Sequence, residues 1–308
     1  MSNQLFSRLI SNQVFPHLIW LRFIGFEFWM VGFVPFFIGY VVGSEKLFDF
    51  DLLYGFVTIA LLTSSTFVLN HICDLEQDRK NPRKEFSLLV RESISVRQSW
   101  YLFWILQISC LILSLRFTYE FLYCILGLST ISFLYNLKPF RFKTRPGLDL
   151  ACNGLSLGFL MPLSAWSINQ PLIDFPRLFF FAIFCYLLAL YCPTIALDVE
   201  FDTKAGITTF ATVFGAANTM LFSWIFTIIG VLTLLFSGFY EIFPWNNKLL
   251  LWTGWLLVLE IFVHYYFLPI HSKPNYHTVA KGSIILATFE ASATLLFLVI
   301  FLDILPID

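Results

Sequence analysis

Asp74 and Asp78 are four residues apart, and so are Asp198 and Asp202. The offset between the pairs is 124 residues at both positions (198 − 74 and 202 − 78), and each pair encloses a further acid, Glu76 or Glu200. Spacing of four puts both carboxylates of a pair on one helix face. Like charges so placed repel, at a cost of about 0.2–0.5 kcal/mol per pair, so an arrangement used twice calls for a cation. An all-oxygen ligand set favours Mg²⁺, which takes one or two carboxylates and completes its shell with phosphate oxygens and water. Asn70, one turn before Asp74, adds an amide oxygen to the first face. Cations follow both pairs: Arg79, Lys80, Arg83 and Lys84 after the first, Lys204 after the second. Between them in sequence lie Lys138, Arg141, Lys143 and Arg145. Metal-binding acids beside Arg and Lys suit a polyanion such as a diphosphate, whose remaining oxygens the cations would bind. The basic bias of cytoplasmic membrane loops also supplies Lys and Arg, so no single cation is specific.

The elements that carry these residues are apolar. Of 308 residues, 58% are hydrophobic, 19% aromatic and only 13% charged, against about 25% charged in a soluble globular protein. Mean hydropathy is +0.77, and 38 Phe outnumber the 20 Asp and Glu. A soluble enzyme is excluded; this is a polytopic membrane protein. Nine spans are predicted, at 19–43, 52–72, 98–116, 118–137, 149–169, 178–197, 217–239, 248–268 and 281–303. The third and fourth almost touch, which predicts a tight helical hairpin. With no soluble domain and no low-complexity tract, the expected fold is all-α, nine transmembrane helices in one integral-membrane domain over 1–308.

Nine spans put the N-terminus and the 2–3, 4–5, 6–7 and 8–9 loops on one side. Fifteen of the 19 Lys and Arg fall there, and only Lys46, Arg116, Arg177 and Lys248 fall on the other. The rich side is therefore expected to be cytoplasmic, in a cell inner membrane, and both acidic pairs lie on it. Residues 1–18 lack the compact apolar core and cleavage site of a signal peptide. The six Cys (73, 110, 124, 152, 185 and 192) include no CxxC pair, which argues against a disulfide framework and against zinc.

"NHICDLEQD" (70–78) resembles the NxxxDxxxD motif of the UbiA superfamily of intramembrane prenyltransferases, and "DVEFD" (198–202) resembles its second DxxxD motif. "YNLKPFRFK" (135–143) is similar to the family's Tyr- and Lys-containing loop, and "TKAGITTFATVFG" to the segment after the second motif. The likeness covers roughly residues 20–300, and two Asp motifs in matching places are specific where one would be weak. The resemblance implies a UbiA-like bundle and Mg²⁺-dependent transfer of a prenyl group from a polyprenyl diphosphate to a hydrophobic acceptor. By the same resemblance Asn70, Asp74 and Asp78 would hold one Mg²⁺, and Asp198 and Asp202 a second. Arg22, Arg79, Arg83, Lys138, Arg141, Lys143 and Lys204 would bind diphosphate, and Tyr135 would face the reactive carbon. The family loop is often YxxxK, whereas Lys138 here comes three after Tyr135; which of Lys138, Arg141 and Lys143 meets phosphate stays open. "NPRKE", "FRFKTRPGLDLACNG" and "KAGITTFATVFG" resemble most the carotenoid-elongating, lycopene elongase-like and archaeal-type branches, with quinone precursors and other lipids as further acceptors. The bilayer is the expected partner surface; nucleic acid is not.

Asp149 and Asn153 form a DxxxN at the start of the fifth span, either lining a cavity or serving as a helix-terminal acid with an Asn bonded across helices. Glu27, Glu260, His264 and Glu290 fall inside spans, where ionisable groups are costly and draw functional attention. His271 and His277 have no standard zinc spacing. Two other readings share the same charges: an intramembrane terpene cyclase, and a carrier of anionic lipid that does no chemistry. A carrier wants charge at the midplane and matched broken helices in both halves. Acids gathered at one face favour an enzyme.

Overall fold

The structure, a computed structural model, describes residues 18–79 and 87–240. They are helical, with no strand among them. The chain divides into two compact units, each discontinuous in sequence. The first takes the residues up to Phe33 and Leu53–Phe117; the second takes Val34–Leu52 and the chain from Thr118 on.

The first unit holds α1 (Leu18–Phe23), the start of α2 (Trp29–Ser44), most of α3 (Phe50–Asp78) and α4 (Val96–Ser114). The span expected as one helix over 19–43 is interrupted between α1 and α2. Gly25 takes φ 68°, ψ 33°, and a 3-10 turn follows at Phe26–Phe28. A β-carbon on Gly25 would lie 2.5 Å from the Phe67 ring. Only glycine combines that approach with a left-handed backbone. Beside the break, Phe28 stacks on Phe67 at 4.6 Å, and Trp29 Nε1 donates to Ser64 Oγ at 2.9 Å. Deeper in the unit, Ser65 Oγ donates to Gln107 Oε1 at 2.9 Å. This joins α3 to α4 through two buried polar groups that have no water to turn to. Ser95 caps α4 in a capping box with Gln98.

The second unit holds the rest of α2, then α5 (Tyr119–Asn136) and α6 (Leu148–Asn153), a π-helical stretch at Gly154–Leu160, and α7 (Met161–Trp166). It continues with α8 (Arg177–Ala205), α9 (Phe210–Phe214) and α10 (Ala216–Tyr240). One core cluster gathers Ile38, Val41, Trp166, Phe175, Phe179 and Phe180, with Phe175 and Phe180 stacked at 4.4 Å. Gly158, in the π-helical stretch, sits directly on the Phe184 backbone of α8, where no β-carbon fits. Before α3, Tyr40 donates a short hydrogen bond to Asp49, which also accepts the Leu52 N–H at 3.0 Å and lies 3.8 Å from Lys46 Nζ.

Pro193 lies inside α8 and has no N–H to give the Ala189 carbonyl one turn earlier. Ser223 Oγ of α10 donates to that carbonyl at 2.7 Å. Both residues are fully buried. The interruption is therefore made good by a side chain from the neighbouring helix, as membrane interiors require.

Helical segments cover all seven of the expected spans that fall in the described residues. Among the described residues five helices are long and apolar enough to cross a bilayer: Phe50–Asp78, Val96–Ser114, Leu148–Trp166, Arg177–Lys204 and Ala216–Leu234. α2 is apolar but shorter, and α5 has 18 residues. The protein is an integral membrane protein. The spans expected at 248–268 and 281–303, with Glu260, His264, His271, His277 and Glu290, lie outside the described residues.

Candidate active site

The sequence pattern ends the second span at residue 72, but helical hydrogen bonding in α3 runs on to Asp78, and Arg79 N still donates to Leu75 O at 3.0 Å. Asn70, Asp74 and Asp78 thus occupy successive turns of one rigid helix. Asp74 is half-buried and Asp78 buried, while Glu76 between them is exposed. The inward face therefore belongs to the two aspartates. His71, seven residues before Asp78 and so near the same face, stacks on Phe23 with centroids 5.1 Å apart. Its Nδ1 lies 3.9 Å from Asp78 Oδ2. Helical periodicity was the signal for His71, and sequence reasoning passed over it. Arg79 pairs with Glu92 at 3.0 Å, both exposed. Arg22 closes α1 and is exposed. Lys80, Arg83 and Lys84 lie outside the described residues, as does the side chain of Glu27.

α8 matches α3 in length: each has 29 residues. Asp198 and Asp202 stand in its last third, Asp198 exposed and Asp202 half-buried. Gly206 ends the helix, and Ile207 N turns back to Asp202 O at 2.8 Å. Lys204 is exposed in the last turn. A helix C-terminus carries roughly half a negative charge. Asp78 and Asp202 sit at that end, where a carboxylate is least welcome. The dipole thus adds to the repulsion within each pair.

Tyr135 closes α5 one residue before its end. Its hydroxyl lies 3.1 Å from the Tyr191 hydroxyl of α8 and accepts from Asn153 Nδ2 at 3.4 Å. Asn153 also donates to Asp149 O at 2.8 Å. Tyr191 precedes Asp198 by two turns of α8. Nothing local marks Tyr191 in "LALYCPTIALD"; only the fold pairs it with Tyr135.

The loop after Tyr135 is held by its own side chains. Lys143 Nζ donates to the buried Asn136 Oδ1 at 3.0 Å. Arg145 Nη2 donates to Pro139 O at 3.0 Å. Arg141, at φ 41°, starts a 3-10 turn at Phe142–Thr144, and Lys138 is exposed. Asp149 is buried, and both its oxygens accept backbone N–H groups, from Gly147 at 2.8 Å and from Phe210 at 2.8 Å. Of its two readings, the helix-terminal one holds: Asp149 ties the start of α6 to the start of α9.

Hard oxygen donors on helix faces, at the electronegative helix end, fit Mg²⁺ better than any softer ion. Among the described residues no three His, Cys, Asp or Glu side chains gather as a metal site. Each of the two helices carries one carboxylate pair in its C-terminal third.

These are the features of an all-helical integral membrane protein with two matched acidic helix ends. The family model described as UbiA prenyltransferase family matches residues 32–302, and the chain belongs to that family. It is 30% identical over 181 residues to the Humulus lupulus protein 2-acyl-4-prenylphloroglucinol 6-prenyltransferase, chloroplastic, over 56% of this chain and 44% of that protein. The match thus spans less than half the length of that relative. A UbiA homolog from Archaeoglobus fulgidus bound to GPP and Mg²⁺ is similar in fold, with TM-score 0.72 and 21% identity over 91% of this chain and 99% of that one. The apo structure of a UbiA homolog from Aeropyrum pernix K1 gives TM-score 0.64 and 17% identity over 85% and 96%.

Proposed function

We propose that the protein is a Mg²⁺-dependent prenyltransferase that moves a prenyl group from a polyprenyl diphosphate to a lipophilic acceptor. The observation that carries this reading is the matched pair of 29-residue helices, each bringing two aspartates to its C-terminal third. Asn70, Asp74 and Asp78 hold one Mg²⁺, and Asp198 and Asp202 the other. Mg²⁺, when bound, supplies Lewis acidity to the leaving diphosphate. Arg22, Arg79, Arg83, Lys138, Arg141, Lys143 and Lys204 take the remaining phosphate oxygens. The allylic C–O bond breaks, and its electron pair leaves with diphosphate. A nucleophilic carbon of the acceptor then forms the new C–C bond and gives up a proton. Tyr135 faces the reacting carbon, and apolar surroundings keep water from capturing it. The whole chain acts as one domain in the cell inner membrane, with the acidic ends and the N-terminus facing the cytoplasm; the basic loops support this sidedness.

Two finer likenesses bear on the acceptor. The segments around the basic loops lean towards a carotenoid, while the Humulus relative is named for a prenylphloroglucinol. Incubating the purified full-length protein with Mg²⁺, labelled allylic diphosphates of several lengths and a membrane lipid extract identifies the labelled product. Asp74→Ala and Asp198→Ala should each abolish diphosphate release in folded protein, and EDTA should do so reversibly. Retained release in either variant rejects the two-metal assignment. Binding of the donor without release marks a carrier, and a labelled cyclic product without acceptor marks a cyclase.

A further inference from the structure

Tyr135, Tyr191 and Asn153 close a hydrogen-bonded cluster whose donors can be counted. Each phenol brings one O–H. The 3.1 Å contact between the hydroxyls uses one of the two protons, whichever ring donates. The Asn153 amide spends its N–H groups on Asp149 O and on Tyr135 Oη. The carboxylate oxygens of Asp149, the nearest acid in sequence to Asn153, accept from Gly147 and Phe210, and neither phenol is hydrogen-bonded to them. One phenolic proton of the pair therefore remains for something outside the cluster, and the count does not depend on which hydroxyl carries it. A donor withdrawn from water is costly to leave unmade; this one is half-buried and lies two turns before the acidic end of α8.

We infer that Tyr191 and Asn153 are positioning residues that fix the Tyr135 phenol, and that the pair presents its one remaining proton to an oxygen atom of a bound substrate. The identity of that substrate rests on the prenyltransferase reading; the cluster itself does not. Two sources share the required chemistry, a diphosphate oxygen of the donor and a hydroxyl or carbonyl oxygen of the acceptor. A pure hydrocarbon acceptor offers no such atom. The rings of Tyr135 and Tyr191 come from α5 and α8, so the cluster also fixes the end of α5 against the helix that bears Asp198 and Asp202.

The test uses full-length protein in nanodiscs, labelled with ¹³C at the tyrosine Cζ, as wild type, Tyr135→Phe, Tyr191→Phe, the double variant and Asn153→Ala. Removing either hydroxyl should shift the other ring's Cζ signal, and Asn153→Ala should shift that of Tyr135. Independent signals overturn the cluster. Turnover is followed with Mg²⁺ and labelled geranylgeranyl diphosphate, as diphosphate release and as transfer into a membrane lipid extract. Tyr191→Phe should lower the rate on the order of 100- to 1,000-fold, as loss of one positioned donor does. The donor KM should stay unchanged, and the double variant should be no slower than Tyr135→Phe alone. If release and transfer fall together, the proton serves a diphosphate oxygen; if transfer alone falls, it serves an acceptor oxygen. Wild-type rates for both in Tyr191→Phe, or losses that simply multiply in the double variant, overturn the inference. Coupled signals in a wild type that releases no diphosphate from any allylic donor reject the prenyltransferase reading and leave the cluster standing.

Discussion

Ser223 and Pro193 make a pair whose energetics can be separated. Pro193 deprives Ala189 of its helical partner, and Ser223 Oγ replaces it at 2.7 Å. Ser223→Ala therefore leaves a carbonyl unpaired in a core where both residues are fully buried. An unmade buried bond costs about 1–3 kcal/mol. Side-chain bonds between membrane helices average about 0.6 and reach about 1.7 kcal/mol. The expected loss is thus about 1–2 kcal/mol, the upper part because the residue one turn on is a proline with no N–H to offer. Pro193→Ala restores an N–H at position 193, and Ala189 regains its own partner. In that background Ser223→Ala should cost less than about 0.5 kcal/mol, giving a coupling of about 1 kcal/mol in a double-mutant cycle. Reversible unfolding of the four proteins in mixed micelles measures it. Equal costs of Ser223→Ala in both backgrounds would refute the account, since the hydroxyl would then be acting through packing alone. Pro193 also separates Tyr191 from Asp198 along α8, and a proline bends a helix at its own turn. Pro193→Ala should therefore slow diphosphate release far more than Ser223→Ala, although it removes no polar group.

Gly25→Ala should destabilise the first unit by about 2 kcal/mol or more, from a left-handed residue strained by about 1–2 kcal/mol and a methyl 2.5 Å from Phe67; Phe67→Ala should recover part of the loss, and a thermal midpoint equal to wild type would dismiss the close approach. Asp49 gives an acid-side signature. Burial works to raise its pKa, but the Tyr40 hydroxyl, the Leu52 N–H and Lys46 outweigh it and hold the carboxyl below the usual carboxylate range. A carboxyl depressed in the folded state stabilises above its unfolded pKa of about 3.9 and loses that contribution as pH falls through the folded value. The difference in thermal midpoint between wild type and Asp49→Asn should be constant from pH 6 down to about 5 and shrink below about 4; a gap that widens with acid contradicts the sign.

Hydropathy found the helices because a bilayer demands long apolar runs, and it misplaced their ends for the same reason. The run stops at residue 72 where the hydrocarbon does, but nothing in "NHICDLEQD" stops a helix, so backbone hydrogen bonding carries Asp74 and Asp78 on the end of α3. The spacing of the aspartates was legible because it is a property of one helix. The break at Gly25 is set by the Phe67 ring, 42 residues away in sequence (67 − 25), and an averaged window cannot register one residue's φ. Gly154 and Gly158 did carry a readable signal, small residues four apart that let helices approach closely. The π-helical turn between them is what seats Gly158 on the Phe184 backbone. Asp149 could be read as cavity-lining or helix-terminal, and its partners are backbone N–H groups at two helix starts, whereas Tyr191 looked like one more apolar-run aromatic. The difference lies in where the spare hydrogen-bonding capacity ends up. Both oxygens of Asp149 accept backbone N–H groups, which fixes α9, while the Tyr135–Tyr191 pair keeps one proton to spare. Residue type alone ranks an aspartate above a tyrosine as a chemical group. The bonds already made around each reverse that order here.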